Sequence, residues 1–264
     1  MPEGNEIHRF ALRHAAAFAG RRVRVDSPNG GFPDAELLNG RTLRSVEAVG
    51  KHLGYVFGRD LILHIHLGMY GDFWEGKMPL PPEKGALRLR IYAKTDWIEL
   101  RGGTDTSIFI AEKWKALLGR LGPDPLRDDS DPELAVTVIE KRKTPIGLLL
   151  MDQSVIAGIG NIFRAELLYR ARMSPFRAGK EVGRKAVKGI WNDARVLMRE
   201  AMEDRRIVTT RPKDRLHKRG AAEDSEVHYV YRRHGRPCFV CGATIKRIET
   251  GGRTLYWCPE CQKD

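Results

Sequence analysis

All four cysteines of this 264-residue chain lie in its last 27 residues, as Cys238-Phe239-Val240-Cys241 and Cys258-Pro259-Glu260-Cys261. Two CxxC pairs with 16 residues between them have the spacing of a four-cysteine zinc ribbon, because each pair bends the chain enough to aim two thiolates at one tetrahedral ion. Without a secretion signal, a pair of disulfides is the weaker alternative. Four thiolates leave no open coordination position, so the expected cofactor is one structural Zn2+ that clips a hairpin and does no chemistry.

The other end of the chain offers an amine. Removal of Met1 would leave Pro2 as a secondary amine, and a terminal α-amine has a reference pKa of about 7.7–8.0, low enough to supply the neutral form at physiological pH. Such an amine can attack a sugar C1′ to give an iminium, and the adjacent Glu3 could protonate the ribose ring oxygen. By residue type alone, a proline leading a helix is routine and Met-Pro-Glu is an ordinary start. A third group is Ala157-Gly158-Ile159-Gly160-Asn161, which opens a helix. Its glycines let the backbone approach a ligand closely and its N–H groups favour phosphate, although tight turns before helices use the same residues. Arg253, at the tip of the proposed zinc hairpin, is either a groove-entering side chain or a solvated turn arginine.

Net charge narrows the partners. The formal charge is +12, and residues 211–264 alone carry a net +5. A surface of that sign attracts polyanions and binds them in a salt-dependent way, so nucleic acid leads, with a merely basic enzyme as the alternative. With 42% hydrophobic and 30% charged residues the chain is neither disordered nor fibrous. Apolar runs such as 146–151 fall far short of the ~18–20 residues a membrane span needs. Glu3, Glu6 and Arg9 stand where a signal peptide would be apolar. The expectation is a cytoplasmic, nucleoid-associated protein with no membrane partner.

The elements that must position these groups follow from periodicity. Ile7, Phe10, Ala11, Ala15 and Phe18 recur at helical spacing over 5–18, closed by Gly20. Short β-rich runs follow at 22–25, 43–49, 52–57, 61–67, 86–93, 97–101 and 107–110, which predicts a β-sandwich, with a proline-rich loop at 77–85. Beyond Leu121-Gly122-Pro123-Asp124-Pro125-Leu126 the pattern is helical, at 131–141, 145–152, 161–169 and 180–204. Residues 205–227 read as a loop, either a mobile lid or a disordered connector. Strands at 244–249 and 253–257 flank a Gly251-Gly252 turn. The fold class is therefore α+β multidomain: a β-sandwich with a leading helix over 1–122, a helical domain and connecting loop over 123–227, and a zinc-finger β-hairpin over 228–264.

Taken in order, Met1-Pro2-Glu3-Gly4, Gly50-Lys51-His52, His66-Leu67-Gly68-Met69-Tyr70-Gly71, the 121–126 run, Met151-Asp152-Gln153 leading to Ala157–Asn161, Tyr229-Val230-Tyr231 and Tyr256-Trp257-Cys258-Pro259-Glu260-Cys261-Gln262 resemble the formamidopyrimidine-DNA glycosylase/endonuclease VIII family from end to end. The resemblance implies a β-sandwich, a helix-two-turn-helix domain and a zinc finger, with DNA between the lobes. It implies Pro2 as nucleophile, Glu3 as proton donor and Glu6 as a lesion-pocket residue. It further implies that Lys51 contacts phosphate at the damaged site and assists catalysis, that His66, Asn161 and Arg253 are further phosphate contacts, and that Met69 and Tyr70 fill the void left by a flipped nucleotide. The implied activity is base excision and then β,δ-elimination on double-stranded DNA containing oxidised bases or abasic sites, by a monomer. The stretch 102–109 lacks the Arg-x-Phe wedge of the formamidopyrimidine branch, and the pre-finger loop lacks its glycine/serine-rich segment, so the resemblance is nearer endonuclease VIII and oxidised pyrimidines. The alternatives are oxidised purines as main substrates, and a non-catalytic damaged-DNA-binding module.

Overall fold

In the computed structural model, which describes residues 2–103 and 105–263, helix α1 spans Gly4–Phe18 and turns Ile7, Phe10, Ala11 and Phe18 into the core. That face packs on the first of two antiparallel sheets. The five-stranded sheet has the order β1 (Arg21–Arg22), β3 (Thr42–Val49), β4 (His52–Phe57), β5 (Leu61–His66), β9 (Asp105–Phe109), and the four-stranded sheet β2 (Arg24–Asp26), β7 (Leu87–Tyr92), β8 (Asp96–Arg101), β6 (Asp72–Lys77). Leu53, Tyr55, Leu63 and Ile65 from one sheet and Phe73, Leu89, Ile91, Ile98 and Leu100 from the other share the apolar core, as period-2 alternation requires.

Two elements of this first unit (Met1–Arg120) depart from the sequence reading. Strand β6 was not foreseen, because Gly71 and Gly76 bracket a run that reads as punctuation. Gly76 is there for packing: a Cβ would come within 2.7 Å of the Trp97 ring across the β6–β8 register. Helix α2 (Ala111–Leu118) was also missed, since it buries only Trp114 and Leu117, too few positions to make a period visible.

The second unit (Leu121–Asp264) holds the helices and the finger. Helix α3 (Pro132–Glu140) starts at Asp131, whose side chain accepts from the Glu133 N–H with Pro132 in the first turn. It is followed by α4 (Ile146–Leu149), α5 (Asn161–Arg170) and α6 (Arg184–Asp204). The last begins four residues later than expected, because Gly179–Glu181 forms a separate 3-10 turn and Gly183 takes φ +76°. The segment 205–227 is an ordered, internally bonded segment and not a disordered connector. Glu226 accepts from the Leu216 and Glu223 N–H groups and from His217, Thr209 N–H donates to the Val227 carbonyl, and Val208, Ala222 and Val227 form a small apolar cluster. Strands β10 (Lys246–Thr250) and β11 (Arg253–Trp257) form the hairpin, shifted because Thr244 bridges Pro237 beside the first cysteine knuckle. The fold is thus the α+β arrangement expected: leading helix, β-sandwich, helical part and four-cysteine hairpin.

Candidate active site

Pro2 is half-buried immediately before α1, and Glu3 is the N-cap residue, only 1% exposed. Its extended backbone (φ −110°, ψ −179°) lets its carbonyl accept from the Glu6 and Ile7 N–H groups, so Pro2 and Glu3 sit at the positive end of the helix dipole. Glu6 is gripped by Arg9, whose Nε donates to Oε2 at 3.1 Å while Nη2 donates to Oε1. The grip continues inward: Glu75 on β6 lies 3.7 Å from Arg9 and 2.9 Å from Arg13. Behind it the His14 Nδ1 meets the Tyr55 hydroxyl at 2.7 Å. Burial, with Arg13 and Arg9 nearby, lowers His14 to about 3, so the ring is neutral at physiological pH.

Lys51 occupies the β3–β4 turn, where Gly50 takes φ +59°, and His66 ends β5. The pairing Leu53↔Ile65 carries His52 to the level of His66, and the two rings lie 4.9 Å apart. His64, two residues before His66 and on the same face, completes a cluster that the sequence reading missed. Its one local signal is the His-x-His alternation of β5; the contact with His52 depends on strand register. The turn after β5 presents Met69 and Tyr70, 50% and 79% exposed, which is costly for large apolar groups unless something covers them.

On the second unit, the 157–161 run is braced by Gln153. Its Oε1 accepts from Gly158 N–H at 2.9 Å, and its Nε2 donates to the Met151 and Ile159 carbonyls. Asn161, expected as a phosphate contact, has its amide engaged internally: Nδ2 donates to the Thr254 carbonyl at 2.9 Å and Oδ1 accepts from buried Arg164. Arg253, exposed at the start of β11, is therefore fixed one residue from the Asn161 bond. Glu166 on α5 was missed because a helical glutamate reads as solvated. It is fully buried and accepts from three consecutive N–H groups, Tyr229, Val230 and Tyr231, at 2.7–2.8 Å, and from the Thr209 hydroxyl.

The four cysteine sulfurs lie within 4.8 Å of one another, with Cys238–Cys261 at 3.8 Å and Cys241–Cys258 at 3.4 Å. A tetrahedron of ~2.3 Å Zn–S bonds needs sulfurs ~3.8 Å apart, so the donor set fits one zinc ion. Zinc would clamp the two knuckles and leave no position for substrate. Gln262 fastens the second knuckle, accepting from Cys258 N–H and donating to the Met173 carbonyl.

Comparison with known proteins decides what this arrangement is. The formamidopyrimidine-DNA glycosylase N-terminal domain matches residues 1–102, its H2TH domain residues 121–212, and a zinc finger found in FPG and IleRS residues 235–263. Endonuclease 8 1 of Mycobacterium tuberculosis is 42% identical over 99% of this chain and 100% of its own length. The chain belongs to the formamidopyrimidine-DNA glycosylase/endonuclease VIII family. Members of this base-excision-repair family are DNA N-glycosylases with AP lyase activity. The formamidopyrimidine-DNA glycosylase of Acidiphilium cryptum is 31% identical over the whole of both chains. The Lactococcus lactis family protein bound to abasic-site DNA superposes with a TM-score of 0.81 at 21% identity, over 99% of this chain and 100% of that one, a likeness of fold. The cysteine cluster is the family's structural zinc finger. Among the described residues no helix is long and apolar enough to cross a membrane.

Proposed function

We propose that this family member is a bifunctional glycosylase/lyase that excises oxidised pyrimidines from duplex DNA, with Pro2 as nucleophile and Glu3 as proton donor. The observation that carries the reading is the seating of Pro2 and Glu3 at the N-terminus of α1, with Glu3 buried beside a residue that becomes an amine once Met1 is removed; Met1 itself lies outside the described residues. The damaged nucleotide is flipped out, because its C1′ is shielded inside the duplex. The Pro2 nitrogen bonds to C1′ as the N-glycosidic bond breaks; that bond's electron pair leaves with the base, which takes up the proton the Pro2 nitrogen sheds, and Glu3 protonates the ribose ring oxygen as the sugar opens to an iminium. The iminium acidifies C2′–H, so loss of that proton expels the 3′ phosphate, and a second elimination expels the 5′ phosphate.

Lys51, His66 and Arg253 serve this chemistry by holding phosphates, which positions the strand without reading bases. Asn161 is a further phosphate contact, and its bond to Thr254 fixes the finger strand that carries Arg253. Glu6, held by Arg9, lines the base pocket, and Met69 and Tyr70 occupy the emptied stack. The pyrimidine preference is supported by the 42% identity to a protein named Endonuclease 8 and by Tyr70 following Met69 in one loop.

Borohydride trapping on thymine glycol and 8-oxoguanine duplexes, run side by side with protein of verified N-terminus, tests it. Adduct mainly on thymine glycol is the expected result. Adduct mainly on 8-oxoguanine overturns the substrate class, and no adduct on either leaves the chain as a binding module.

A further inference from the structure

The histidine cluster beside Lys51 is more than the single phosphate contact expected of His66. His52 Nδ1 and His64 Nε2 are 3.0 Å apart, and the rings stack at 5.2 Å. The other nitrogen of His64, Nδ1, faces the Ser107 hydroxyl at 3.4 Å and the Asp105 carboxylate at 4.0 Å, both on β9. His64 is only 2% exposed and is walled in by Phe109 at 4.5 Å and Trp114 at 6.0 Å. Trp114 reaches this position because its neighbour on β4 is Gly54, where a Cβ would come within 2.8 Å of the indole. His52 then lays its ring against His66, and it is the residue directly after Lys51.

We propose that His52 and His64 are positioning residues for Lys51 and His66: a pair of hydrogen-bonded imidazoles, anchored on β9, fixes both side chains for their phosphate contacts. This rests on the reading of Lys51 and His66 as phosphate contacts.

The protons are assigned by their surroundings. The Asp105 carboxylate favours N–H at His64 Nδ1, which leaves Nε2 to accept from His52 Nδ1–H. The groups facing the cluster are cationic except for Asp105: Lys51 from the turn, Arg120 after α2 and Lys113 on α2. Burial first, and these cations with the neighbouring imidazoles, lower His52 to about 3 and His64 to about 4; burial and Lys51 lower His66 too. At neutral pH the brace carries no charge. Of the two phosphate contacts, Lys51 supplies a cation and His66 a hydrogen bond that releases no counterion.

The test measures the affinity of the full chain for a duplex carrying a stable abasic-site analogue, across a salt series, with a melting temperature for each variant. His64→Phe keeps the ring packing and removes both hydrogen bonds; binding should weaken about fivefold with the salt slope unchanged. His64→Gln, whose amide can both donate and accept, should recover most of that loss. Lys51→Gln should lower the slope by about 0.9. Wild-type affinity in His64→Phe, or equal losses in His64→Phe and His64→Gln, overturns the proposal. Should His64→Phe not fold, Ser107→Ala cuts only the far anchor; about a twofold loss is expected, and none overturns the proposal. An unchanged slope in Lys51→Gln, by contrast, removes the phosphate reading on which the brace depends.

Discussion

The two units differ in the buried polar groups around their candidate site residues, although the first also holds a buried ion pair away from them, Arg90 with Glu99. In the first, imidazoles are buried and kept neutral: His14 against Tyr55, and His52 against His64. In the second, a buried carboxylate, Glu166, is saturated by backbone N–H groups, and a buried guanidinium, Arg164, is held against Asn161 and the Thr254 carbonyl. Neutral groups can be packed tightly at little desolvation cost, but acid turns them into charges. A carboxylate that gathers three N–H groups ties distant segments together, and removing it strands every donor at once. The first unit should therefore answer to pH and the second to loss of a single frame residue.

The largest effect is expected at Glu166. Replacement by Ala strands three buried N–H groups between α5 and residues 229–231, and should cost about 3–5 kcal/mol, lowering Tm by roughly 10 °C. A calorimetric shift under about 2 °C would break the comparison.

Next is acid sensitivity. His14 stays neutral in the folded protein down to about pH 3, whereas the unfolded chain takes up that proton near pH 6.5. The unfolded state thus binds more protons in this interval, and stability falls as pH drops from 6.5 toward 3. His52 and His64 act in the same direction. Melting curves between pH 7.5 and 5.5 should show a drop that His14→Leu makes shallower, whatever its Tm at the upper end. Parallel curves would contradict the assignment of His14.

The smallest effect separates charge from hydrogen bonding in DNA binding. Arg253→Ala should weaken affinity severalfold and lower the salt slope by about 0.9, while His66→Gln weakens affinity with the slope intact. Equal slopes in the two variants would erase the distinction.

What the sequence made legible follows the same division between local and long-range causes. The cysteine knuckles, α1 with Pro2 and Glu3 at its head, and most strands and helices carry their signals within a few residues. Strand β6 did not, because Gly76 makes sense only against Trp97 on a neighbouring strand. Glu166 carried no local signal because its partners lie 63–65 residues downstream. The histidine cluster needs the β4–β5 and β5–β9 registers together to be seen. Asn161 was expected at phosphate; that its amide also bonds Thr254 and Arg164 is an arrangement that only the folded finger reveals.

The central claim is that the amine of Pro2 forms the covalent bond to the damaged sugar. Its most direct measurement is proteolysis and mass spectrometry of the borohydride-trapped complex on a thymine glycol duplex. The sugar remnant is expected on the N-terminal peptide, on Pro2, with Met1 absent. A remnant on a lysine peptide, or a trapped species whose N-terminal peptide is unmodified, would contradict it.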